Sequence, residues 1–89
     1  MKKRSPDGWL RTVDSKMKWY GETDLDKKVI RINKKKAKKP GELIDSIVHE
    51  TYHKDHPGAS EKETIRMTKI LVKKMNAKKK QRLYNLFRG

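Results

Sequence analysis

Two imidazoles and a carboxylate lie within five residues, His49-Glu50-Thr51-Tyr52-His53. On an α-helix, residues i and i+4 share a side, so His49 and His53 can each offer a ring nitrogen to one tetrahedral Zn²⁺. Glu50 is turned about 100° from them. From there it does not ligate with them, but it can reach a water held on the metal, where a general base is needed. That residue set is suited to metal-assisted hydrolysis.

The motif has this meaning only on a helix, where H-E-x-x-H is the signature of zinc metalloproteases. Leu43, Ile44, Ile47, Val48 and Tyr52 recur at helical spacing through the run that begins at Gly41, and their stripe falls opposite His49 and His53. One side of the helix is therefore expected in the core and the other at a site. Tyr52, on the core stripe, is a poor donor for a developing oxyanion, and no other residue is singled out for that role.

Catalytic zinc usually takes three protein ligands and leaves a position for water. Lys54-Asp55-His56-Pro57-Gly58-Ala59 ends the first helix, because proline and glycine do not continue one easily. Ser60 with Glu63 three residues on forms a capping box that opens a second helix through Ile65, Met67, Ile70, Leu71, Val72 and Met75. So short a link makes the two helices antiparallel neighbours and returns the second one beside His53. Glu61 is the expected third ligand, with Glu63 and His56 as alternatives. Glu63 has the rival capping role, and Pro57 biases His56 out of helical geometry.

Upstream, Trp9-Leu10-Arg11-Thr12-Val13 is expected as a short strand or turn. Lys16–Tyr20, the turn residues Gly21-Glu22-Thr23-Asp24, and a strand over Lys27–Asn33 with Ile30 and Ile32 on one face form a β-hairpin. An edge of this hairpin could pair with an extended peptide by strand addition. Lys34–Pro40 is a basic connector, and residues 1–8 a basic flexible arm. Downstream of Asn76 a basic helical segment prolongs the second helix or restarts after it, with Leu83, Leu86 and Phe87 able to dock on the core. The fold class is α+β: a β-hairpin packed on an antiparallel helix pair carrying the motif, plus a basic C-terminal helix. Residues 9–89 form one domain.

At 89 residues and 33% apolar content the core is small, and the absence of cysteine excludes disulfides and thiolate zinc sites. A bound zinc would add its binding free energy to folding. There is neither an apolar run after the basic N-terminus nor a membrane-length segment, which points to the cytosol or nucleoid and to no membrane partner. Lysine and arginine total 25 against 11 acids, for a net charge of +14. A field of that sign attracts polyanions and makes nucleic acid a candidate partner of the lysine-rich surface.

The run from Tyr20 to Met75 resembles very small zincin metallopeptidases of the gluzincin kind, the minigluzincins, and the SprT-like domains related to them. The matching residues are Val29–Asn33, Leu43–His53, His56-Pro57 and Ser60-Glu61. The resemblance implies zinc on His49 and His53, Glu50 as the catalytic base and Glu61 completing the site. The interval from His53 to Glu61 is shorter than in larger gluzincins, and the cysteine zinc ribbon of many SprT-like proteins has no counterpart here. The expected activity is hydrolysis of peptide or protein substrates by a monomer, through a Glu-activated, zinc-bound water. The alternative is a basic nucleic-acid-binding module with a structural metal or none.

Overall fold

A computed structural model describes residues 4–87. Strands β1 (Leu10–Val13), β2 (Gly21–Asp24) and β3 (Val29–Ile32) precede helices α1 (Pro40–Asp55), α2 (Glu61–Lys74) and α3 (Ala77–Leu86). The fold is a small α+β arrangement of three strands and three helices among the described residues.

The sheet has the order β1-β3-β2, with β1 parallel and β2 antiparallel to the central strand. The expected hairpin is present, but its first arm is displaced. Gly21–Asp24 is the strand, Lys16–Tyr20 lies outside the sheet, and the turn falls at Leu25–Lys28. Asp24 places the turn there, its Oδ1 accepting from the Lys27 amide at 3.0 Å, and Lys28 takes the left-handed φ of 55° that closing it requires. Trp19 and Tyr20, 63% and 51% exposed, give the preceding segment no core face. The parallel β1–β3 pair adds a strand to the expected hairpin; the chain from Asp14 to Lys28 provides the long crossover that such a pair needs.

Ile30 and Ile32 of β3 meet Ile47 of α1 and Phe87, all fully buried, and Trp9, Val13, Leu43, Leu83 and Tyr84 pack around them. Phe87 and Leu83 dock as expected, whereas Leu86 stays 40% exposed. Asn33, nearly fully buried, donates from Nδ2 to the Met17 carbonyl at 2.8 Å and accepts the Lys35 and Lys36 amides on Oδ1. This single side chain ties the 14–20 segment and the basic connector to the end of the central strand.

Helix α1 begins with Pro40 in its first turn and ends where the His56 amide reaches the Tyr52 carbonyl, immediately before Pro57. Ser60 caps α2, its Oγ accepting the Glu63 amide at 3.1 Å. The stripe expected for α2 is rotated: Ile65 and Ile70 are exposed at 46% and 37%, while Thr64 and Thr68 are buried. Thr64 can sit in the interior because its hydroxyl donates back to the Ser60 carbonyl at 2.8 Å, leaving its methyl to pack. Asn76 caps α3 through the Lys79 amide at 2.8 Å, so the C-terminal helix is a new element and not an extension of α2.

Residues 1–3 of the basic arm lie outside the described residues. Arg4 donates to the carbonyls of Gly8, Lys27 and Lys28, and Asp7 pairs with Arg11 at 2.7 Å, which ties this segment to the sheet. No helix among the described residues is long and apolar enough to cross a membrane.

Candidate metal centre

His49 and His53 stand on successive turns of α1, half-buried, with ring centroids 4.9 Å apart and planes at 72°. Glu61, the first residue of α2 after its Ser60 cap, reaches across to both. Its Oε1 lies 2.7 Å from His49 Nε2 and its Oε2 3.1 Å from His53 Nε2. One ligand atom from each of the three residues falls within 4.8 Å of the others.

By donor type these atoms suit a zinc ion. Two donors each about 2.1 Å from a tetrahedral ion stand about 3.4 Å apart; the histidine–glutamate contacts are 2.7 and 3.1 Å, so a bound ion would spread them slightly. In those contacts each imidazole Nε2–H donates to the Glu61 carboxylate. A cation would take the lone pairs of the same nitrogens and one oxygen of Glu61, each ring then carrying its N–H on Nδ1.

The two alternative ligands are engaged elsewhere. Glu63 accepts the Tyr52 hydroxyl on Oε2 at 3.2 Å, and His56, in the C-cap of α1, stacks on the Tyr52 ring with centroids 4.3 Å apart. Tyr52 is thus less a core residue than a post between the helix ends.

Glu50 is only 8% exposed. Burial pushes its carboxyl above the usual range, partly offset by the Thr23 hydroxyl bonded to it and by the neighbouring histidines. Thr23 Oγ1 lies 2.7 Å from Glu50 Oε1 and 2.9 Å from the Glu50 carbonyl oxygen; its one proton serves these acceptors in turn. Gly21, two residues earlier on the same face of β2, completes the seat. A Cβ there would stand 2.9 Å from Glu50 Cγ and 3.1 Å from Oε2, so only glycine leaves the carboxylate its room.

All four residues line a cleft of about 680 Å³ bounded by the start of β2, α1 and α2. Its walls include Trp19, Tyr20, Leu25 and Ile65, four of the six large hydrophobic residues that are exposed among the described residues. Solvent-facing apolar surface is therefore concentrated around the histidines. Gly21 and Thr23 went unnoticed in the sequence because they sat in an assumed turn; as a strand, the small residue and the hydroxyl two apart share one face.

No known protein family, curated protein or solved structure matches the chain.

Proposed function

We propose that this protein is a zinc-dependent metallopeptidase of minimal zincin type, similar to the minigluzincins. The observation that carries the reading is the convergence of His49, His53 and Glu61 ligand atoms beside the buried Glu50 carboxylate in one cleft. The β2–β3 hairpin packed against the helix that bears the motif agrees with it.

In this reading His49, His53 and Glu61 hold the ion. Zinc, when bound, supplies the Lewis acidity that makes water a nucleophile near neutral pH and polarises a carbonyl. Glu50 accepts the proton of the attacking water and delivers it to the leaving amine. Its raised affinity for a proton suits both halves of that transfer. Thr23 fixes the rotamer of Glu50 through Oε1. β2 lies at an edge of the sheet and bears both residues that touch Glu50, so a peptide added to that edge as an extended strand runs beside the base. The apolar walls then receive its side chains.

The test is Glu50→Gln in the full chain, assayed for zinc content and for cleavage of an unstructured protein substrate. The expected result is unchanged zinc content with the rate reduced by about 10²–10⁴-fold, the usual contribution of a general base. An unaltered rate removes Glu50 from the mechanism.

A further inference from the structure

We infer that the solvent face of α2 is a phosphate-gripping surface for double-stranded nucleic acid. The observation is independent of the metal centre. Lys62, Arg66, Lys69 and Lys73 follow one another at steps of four, three and four residues, which aligns them along one side of the helix. All four are exposed, while Thr64 and Thr68 on the opposite side are buried and Leu71 and Val72 half-buried.

Cations at these spacings repel and weaken their own helix, and a merely solvated helix face usually interleaves acids to relieve this. Along this stripe no acid intervenes: Glu63, three residues before Arg66, is bonded to Tyr52. Among the described residues none of the four takes part in an ion pair, although Arg11, Arg31 and Lys54 each do elsewhere. No Asp or Glu follows Glu63 in the chain, and α3 carries exposed Lys78, Lys79 and Arg82 with no acid among its residues. A row that costs the helix stability and has no ion-pair partner among the described residues is matched by a partner carrying a regular row of negative charge.

Duplex nucleic acid fits that row better than other polyanions. From Lys62 to Lys73 the stripe is about 16 Å long at 1.5 Å per residue, or about five steps of a strand rising 3.4 Å each. The exposed tryptophan and tyrosine belong to the cleft and not to this face, so contacts go to phosphates and not to stacked bases. An anionic membrane is a poorer match, because α2 exposes only two large apolar residues, Ile65 and Ile70, with Leu71 and Val72 half-buried, too little for an inserting face. Ile65, Thr68 and Lys69 also line the cleft, so a duplex held by the stripe runs along the cleft's rim.

The experiment is fluorescence anisotropy of a labelled 20-base-pair DNA duplex with the full chain, over a series of salt concentrations. Two variants remove equal charge: Lys62→Gln/Arg66→Gln/Lys69→Gln/Lys73→Gln on the stripe, and Lys34→Gln/Lys35→Gln/Lys36→Gln/Lys38→Gln on the connector. Glutamine is a good helix former, and circular dichroism checks that α2 persists. The stripe variant is expected to flatten the slope of log K against log salt by about 3–4, at about 0.9 per lost phosphate contact, and the connector variant by less than about 1. If the quadruple variant does not fold, Arg66→Gln and Lys73→Gln singly should each flatten it by about 0.9. Equal losses in the two variants, absence of duplex binding, or equally tight binding of poly-glutamate or of phosphatidylserine vesicles at the same salt would each overturn the assignment.

Discussion

The hydroxyl of Thr23 sits 2.7 Å from Oε1 of Glu50, joining the edge strand of the sheet to the carboxylate that follows the first histidine of the motif. Because Glu50 is buried, this bond does more than orient it: a desolvated carboxylate without a donor is costly, and the same oxygen would otherwise turn toward water or the histidines. Thr23→Val keeps the shape and removes the donor. Hydrogen bonds to charged groups contribute roughly 1.5–3 kcal/mol, so kcat should fall by about 10–100-fold. KM and zinc content should stay unchanged, and Thr23→Ser should restore the rate. Steady-state kinetics of the two variants make the comparison; a fall in zinc content in place of kcat would show that Thr23 supports the ligands and not the base.

Phe87 is the only phenylalanine in the chain and is completely buried against Ile30, Ile32 and Ile47. Truncating such a residue costs about 3–5 kcal/mol. Small domains have about 5–15 kcal/mol in total, so Phe87→Ala should lower the urea midpoint sharply or abolish the transition. Leu86→Ala, at a 40% exposed site, should shift it little. Equal effects of the two would place the C-terminal anchor elsewhere.

Stability should also respond to acid through Asp7. The Arg11 guanidinium bonded to it, together with the Trp9 amide and nearby Lys54, holds its carboxyl well below the usual carboxylate range, against a smaller opposing effect of desolvation. A depressed folded-state pKa means that the unfolded chain takes up the proton first. The stabilisation is therefore complete above about pH 5, since a free aspartate titrates near 4, and fades as pH falls toward the folded value. The difference in urea midpoint between the wild type and Asp7→Asn should be constant from pH 7 to pH 5 and shrink below pH 4. A gap undiminished between pH 5 and pH 2 would mean that Asp7 acts by packing alone.

Much of this arrangement is legible in the sequence where a single physical rule dominates. The i, i+4 histidines, the proline-glycine stop and the serine cap determine where α1 ends and α2 begins, and that geometry brings Glu61 to the histidines while Glu63 is drawn to Tyr52. What escaped depends on long-range competition. The parallel pairing of β1 with β3 has no local signature. The hairpin turn lies beyond Asp24, whose carboxylate caps it through the Lys27 amide, while Gly21 is taken up in the strand beside Glu50. The inward face of α2 carries two threonines in preference to Ile65 and Ile70, since hydroxyl back-bonding lets Thr64 be buried, a possibility that apolar periodicity does not register.

Titration of the metal-free protein with zinc at pH 7 asks whether His49, His53 and Glu61 hold one ion together. The wild type should bind one equivalent; His49→Ala and His53→Ala should each abolish stoichiometric binding, Glu61→Gln should weaken it, and His56→Ala and Glu63→Gln should leave it intact. Failure of the wild type to bind zinc, or full binding by the two histidine variants, would mean that these three residues do not form a zinc site.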